Sequence, residues 1–225
     1  MWRILLLLFL TGCCANPMGQ SFLGTKYINS PLGEGITPDT DPLFRTDAFD
    51  CVTFVETVLA DSDVTKLNQI RYKNGNVSFL DRNHFIETDW MTNNANLVEN
   101  VSAKYAKTAY RTVVIDKKSW FKQNYNIDTD FAPETVNLEY IPYENITELN
   151  INKAVIVMFV ADKPKIRDKI GTDLAIFHMG LLLPGGVLRH ASSQQKSVVD
   201  VDFYEYIAQK KQDKTNLGII LVRIK

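Results

Sequence analysis

The stretch FHMGLLLPGGVLRHASS, Phe177 to Ser193, sets two apolar runs on either side of Pro184-Gly185-Gly186. Apolar runs around such a break read as two strands joined by a tight turn. Each run carries one histidine, His178 before the turn and His190 after it. A three-residue loop pairs Leu183 with Val187 and brings His178 opposite Ser192. His190 then stands on the same face, a diagonal neighbour about 7–8 Å away. A two-residue loop reverses the parity and puts the imidazoles on opposite faces. Gly185 and Gly186 suit the left-handed residue of a three-residue loop.

Working outward, AVIVMFVA (154–161) and LGIILVRIK (217–225) read as further buried strands. DVDFYEYIAQKK (200–211) reads as a helix with Asp at its start and Lys at its end, as the helix dipole favours. Upstream, Val52, Phe54, Val55, Val58 and Leu59 predict a helix from Cys51 to Ala60, with Asp50 as its N-cap. The preceding INSPLGEGITPDTDPLFRTD (28–47) is a long loop of the kind that often carries function. Asn74-Gly75 predicts a hairpin, because both central residues of its turn need positive φ. Further on, LVENVSAKYAKTAYR (97–111) and KKSWFKQNY (117–125) are candidate helices. The pattern predicts an α+β protein: N-terminal helices packed on a C-terminal antiparallel sheet.

Of the 225 residues, 45% are apolar and 23% charged, and the net charge is −1. That balance suits a globular domain and gives no basic footprint for nucleic acid. MWRILLLLFLTGCCAN opens with one Arg and an apolar run from Ile4 to Leu10, an export signal over residues 1–15. One domain is expected over 16–225. Leu10 to Cys13, LTGC, has the shape of a lipobox, in which Cys13 becomes the lipidated first residue; an ordinary cleavable signal is the alternative. Two of the three cysteines thus belong to the signal, and Cys51 is alone in the body. A single thiol in an oxidising compartment is a liability unless buried or used.

A thiol and two imidazoles are the material of a cysteine hydrolase. The nucleophile needs a base, and the base needs a group that fixes its tautomer. His178 is the candidate base and His190 its orienter. At the first turn of a helix, free N–H groups lower a thiol pKa and can stabilise an oxyanion. The negative Asp50 works against a thiolate, so its carboxylate should turn to the helix N–H groups and away from the sulfur. Other readings stay open. Cys51 shares a face with Val55, Val58 and Leu59 and could be plain core. Two His and a Cys can also hold zinc, though no second ligand lies at short spacing on a helix. His84 could be surface or substrate-facing.

The order Cys, His, His resembles that of the papain-like NlpC-type cell-wall hydrolases. More closely, FDCVTFVE (49–56), IRYKNG (70–75) and LDRNHFIETDW (80–90) resemble the AmiA-like N-acetylmuramoyl-L-alanine amidase branch. The resemblance spans Phe22 to Arg223. It implies a papain-like fold, Cys51 as nucleophile, His178 as base and His190 as third member. Tyr27, in LGTKY, matches a tyrosine that orients the oxyanion region. Arg82, His84, Asp89 and Trp90 match a segment that binds substrate or braces the cleft. Lys26 stands where the family has proline, Asp81 where it has serine, and Val52-Thr53 where the wider family has Ser-Gly. The implied reaction is cleavage between N-acetylmuramic acid and L-alanine, with no cofactor and no metal. A γ-D-glutamyl stem-peptide endopeptidase and a non-catalytic muropeptide-binding module are the alternatives. The expected partners are muropeptides and, through Cys13, a membrane of the bacterial envelope; the expected state is a monomer.

Overall fold

The computed structural model of the chain describes residues 17–225. The expected export signal and the expected lipidation site at Cys13 lie outside the described residues. The helices are α1 (Cys51–Leu59), α2 (Val64–Arg71), α3 (Met91–Asn93), α4 (Lys117–Tyr125), α5 (Ile166–Ile170) and α6 (Phe203–Lys210). The strands are β1 (Lys26–Tyr27), β2 (Ala48–Phe49), β3 (Val98–Asn100), β4 (Ala109–Ile115), β5 (Glu134–Pro142), β6 (Val155–Ala161), β7 (Ile176–Leu183), β8 (Val187–Ser192), β9 (Ser197–Asp202) and β10 (Asn216–Ile224). They form one sheet in the order β2-β1-β9-β8-β7-β6-β10-β5-β4, with β3 also paired to β10.

This corrects the expectation of a purely antiparallel, C-terminal sheet. β1 and β2 pair in parallel, so the sheet is mixed. Strands β3, β4 and β5 come from the middle of the chain and extend it beyond β10. The helix expected over 97–111 is instead β3, a short 3-10 turn and the start of β4. Period two explains β4: Val113 and Ile115 are buried, while Tyr110 and Thr112 are exposed. The predicted helix over 117–125 is α4, capped by Asp116 through the N–H of Ser119.

The Asn74-Gly75 hairpin is a second correction. Both residues do take positive φ, +56° and +70°, as the dipeptide demands. They close a 3-10 turn after α2, however, and only an isolated bridge from Tyr72 to Arg82 spans the loop that follows. Asp63 starts that helix by accepting from the N–H of Lys66. Its buried residues are few, Leu67, Ile70 and Arg71, which is why no apolar stripe announced it.

The sheet is covered on both faces. Ile156, Met158 and Val160 of β6 face a core shared with Phe54 and Val55 of α1, and with Leu67 and Ile70 of α2. Val155, Val157 and Phe159 face a second core shared with Phe203 and Ile207 of α6. Burial on both sides gives β6 its continuous apolar run.

Candidate active site

The turn at 184–186 is the three-residue loop. Leu183 pairs with Val187, Leu182 with Leu188 and Leu181 with Arg189, and there the β7–β8 ladder stops. His178 and His190 therefore share a face, the one that carries Leu182 and Leu188 toward α6. His178 Nε2 and His190 Nδ1 are 2.7 Å apart. The rings meet edge to face, with centroids 4.8 Å apart. Gly180 is what lets β7 and β8 lie so close: a Cβ there would stand 2.9 Å from His190 Cβ and from the Arg189 carbonyl.

A bulge in β7 lies just before His178 and re-aims Ile176. Phe159 pairs with His178 but Val160 pairs with Ile176, so Phe177 is an extra residue on its strand. Ile176 and Met179 can then both face the α1 core, while His178 turns to the other side and packs on Phe159 and Tyr206. Bulges commonly re-aim one side chain in this way.

Cys51 opens α1. Asp50 is its N-cap, with Oδ1 accepting from the Thr53 N–H at 2.8 Å, and Thr53 Oγ1 accepts from the Asp50 N–H at 3.0 Å. The other carboxylate oxygen accepts from the Ser30 N–H at 3.2 Å. The carboxylate is thus turned to backbone N–H groups, as its charge requires. The thiol lies against the β7 backbone beside His178, where the N–H groups of Met179, Cys51 and Val52 approach the sulfur. Among the described residues no hydrogen bond joins the Cys51 thiol to His178.

The electrostatics correct one expectation. The thiol pKa is not lowered but pushed up to about 12, first by burial and then by the Asp50 carboxylate. The three N–H groups act in the opposite direction and do not win. Burial likewise pushes His178 down to about 3 and His190 down to about 4. The resting site is a neutral thiol beside two neutral imidazoles. Tyr27 is within electrostatic reach: burial raises its pKa, then Cys51 and Asp50 raise it further.

The other predicted residues lie around this centre and not on it. Trp90 is fully buried, and its indole Nε1 donates to Glu56 of α1 at 3.0 Å. Asp89 pairs with Lys117 at 2.8 Å. Arg82 clasps Glu34 and, at 2.9 Å, Asp39, and so pins the long loop over 28–47. His84 donates from Nε2 to the Phe79 carbonyl at 2.7 Å, within a cage of Phe79, Trp120 and Phe121. Of the four, Trp90 braces the floor. Arg82 and His84 line a cavity of about 150 Å³ that also reaches Ser30, Asp50 and Val52. Sequence reasoning missed Tyr206 and Lys210 of α6, which stand beside the histidines. Their spacing, four apart on one helix, was the available signal.

His84 gives a pH test. Its pKa is pushed down to about 3, mainly by burial; the Phe79 carbonyl opposes this, and the Arg82 and Arg71 cations add to it. In the unfolded chain an imidazole protonates near pH 6.5. Between those values the unfolded state binds a proton that the fold refuses, so stability falls as pH falls. Urea midpoints should drop from pH 7 to pH 5, and His84→Gln, which keeps a donor for Phe79, should flatten that slope. An unchanged slope would mean that His84 titrates normally in the fold.

A helix-capped thiol and a hydrogen-bonded imidazole pair, held at the opening of a mixed sheet, are the chemical groups of this site. The chain belongs to the AmiA-like family, described as N-acetylmuramoyl-L-alanine amidase-like, whose model matches residues 17–218. A solved Legionella pneumophila protein of family DUF1460 is 28% identical, with a TM-score of 0.82 over 93% of this chain and 88% of that one. An N-acetylmuramoyl-L-alanine amidase from Bacteroides uniformis is 22% identical, with a TM-score of 0.70 over 92% and 97% of the two chains. A Bacteroides fragilis protein provisionally named a xylanase has the same fold at 23% identity, with a TM-score of 0.71 over 92% and 99%. The differing names are a reminder that fold alone does not carry activity. No curated protein matches the chain.

Proposed function

We propose that the chain is a cysteine-dependent peptidoglycan amidase of papain-like, NlpC type. It cleaves the amide between N-acetylmuramic acid and L-alanine. The observation that carries this reading is the 2.7 Å His178–His190 bond at the open end of the β7–β8 ladder, beside the helix-capped Cys51.

One proton serves the bond between the imidazoles. When it rides on His178 Nε2, Nδ1 of His178 keeps its lone pair and can take the thiol proton. The sulfur attacks the carbonyl carbon as that proton leaves. His190 Nδ1 accepts from Nε2–H of the imidazolium so formed and holds its ring plane, as the third member of a triad does. The imidazolium then protonates the departing amine and the amide C–N bond breaks. Water attacks the thioester, giving its proton to His178; the C–S bond then breaks, His178 returns the proton to the Cys51 sulfur and the acid is released. The helix-start N–H groups and the Tyr27 hydroxyl are suited to receive the oxyanion. Neutral partners make the first proton transfer concerted with attack, since neither ion is stable at rest. Contacts of this kind are often long before substrate binds and shorten in the complex.

The reading extends to location. An export signal over 1–15 and a lipid on Cys13 would hold the enzyme, as a monomer, where its substrate lies. The test is digestion of muropeptides with products identified by mass. Intact stem peptide with a free N-terminal alanine is the expected product. Cleavage after D-glutamate would replace this reading with the endopeptidase. Binding without any product, in wild type and Cys51→Ala alike, would leave a muropeptide-binding module.

A further inference from the structure

A cavity of about 200 Å³ opens beside the histidine pair, on the α6 side of the sheet. His178, His190, Tyr143, Tyr206 and Lys210 are among its walls. Three of these offer donors with nothing to donate to. Among the described residues, the hydroxyls of Tyr143 and Tyr206 have no hydrogen-bond partner, and Lys210 has no ion pair. Asp213 is the acid whose charge acts on Lys210, but its carboxylate is held by Lys163 at 2.8 Å and by Thr215 at 2.7 Å. The Lys210 ammonium lies instead over the Tyr206 ring, 4.8 Å from its centre. A fourth polar atom, His190 Nε2, is buried without a partner in a residue only 2% exposed. A cation and two phenolic hydroxyls around one small space match the needs of a carboxylate, which only accepts.

We propose that this cavity binds a carboxylate on the amine-bearing part of the substrate, with Lys210 as its counter-charge and Tyr206 and Tyr143 as neutral donors. This rests on the amidase reading above. The side follows from the chemistry: His178 must protonate the departing nitrogen, so the part that leaves lies on the histidine side of Cys51. The acyl part lies toward Ser30, Asp50 and Val52, where the smaller cavity is found. A stem peptide linked through a side-chain carboxyl keeps a free α-carboxylate near the scissile bond, which supplies the anion.

The test uses the full chain and two synthetic muropeptides, one with free peptide carboxylates and one with all of them amidated. Lys210→Met keeps the apolar stem on Tyr206 and removes the charge. It should raise KM for the free-acid substrate roughly tenfold, leave kcat within about twofold and leave the amide substrate unchanged. Tyr206→Phe should give a smaller loss with the same selectivity. Equal losses on both substrates would overturn the proposal, because Lys210 would then act on the histidines alone. No change on either would overturn it too. If wild type cleaves neither substrate, the amidase reading fails by itself. The cavity is then judged by calorimetry with the two stem peptides. Preference for the free acid that Lys210→Met abolishes sustains the site, and equal binding rejects it.

Discussion

Cys51→Ala is expected to abolish release of stem peptide, with a fall in rate on the order of 10⁴-fold or more, and to leave the fold intact. The side chain is small and sits at the first turn of α1, where the Asp50 cap and the Thr53 hydroxyl hold the backbone independently of sulfur. Cys51→Ser should be nearly as inactive, since a hydroxyl beside a neutral imidazole is a far poorer nucleophile than a thiol. His178→Ala should match it. His190→Asn, which can still accept from His178 Nε2, should retain more activity than His190→Ala. Alkylation by iodoacetamide adds an independent reading. With the thiol pushed up to about 12 by burial and Asp50, Cys51 should react no faster than a free thiol from pH 6 to pH 8. Residual amidase activity in Cys51→Ala within about tenfold of wild type would end the nucleophile assignment. Fast alkylation at pH 6 would restore the thiolate picture that helix position alone suggested.

Why position alone misled is a matter of competing terms. The residues Asp50-Cys51 told of a cap and a helix start, and both are present. They could not tell how deeply the sulfur sits, because depth is set by β7 lying against the tip of α1, more than a hundred residues away in the chain. The histidine pair is the opposite case. Strand parity and a glycine-rich turn are local rules, so the shared face of His178 and His190 was legible from Phe177 to Ser193. The bulge at Phe177 was not, and without it Ile176 would face away from the α1 core. The middle of the chain was hard to read for a further reason. β3 is three residues long and packs only by joining β10, so its pattern is too short to show a period. Tyr206 and Lys210 were visible as an i, i+4 pair, but which face of α6 they occupy depends on the second core behind the sheet.

The largest stability effect is expected beneath the nucleophile. Glu56, one turn and a half along α1, is 2% exposed. Its Oε2 accepts from Arg71 at 2.8 Å and its Oε1 from the Trp90 indole at 3.0 Å. Arg71, 5% exposed, also donates to the Leu32 carbonyl at 3.3 Å. Four segments therefore meet around one ion pair: α1, the end of α2, the segment at Trp90 and the long loop over 28–47. Glu56→Ala would leave a guanidinium buried without a counter-charge and an indole N–H without an acceptor. The cost should be about 3–5 kcal/mol, read as a lowered urea midpoint with an unchanged m-value. Glu56→Gln keeps an acceptor and should cost less. Replacing both partners, Glu56→Met with Arg71→Leu, removes the stranded charge and should recover much of the loss. A cost below about 1 kcal/mol for Glu56→Ala would mean that water reaches Arg71 and that the pair is not buried as described. The double variant separates stability from aim. It no longer ties Leu32 to α2, so the loop that holds Ser30 against Asp50 is freed at one end. Its kcat/KM should stay below wild type even where its urea midpoint returns, because the pair holds the loop beside Cys51 in place as well as filling the core.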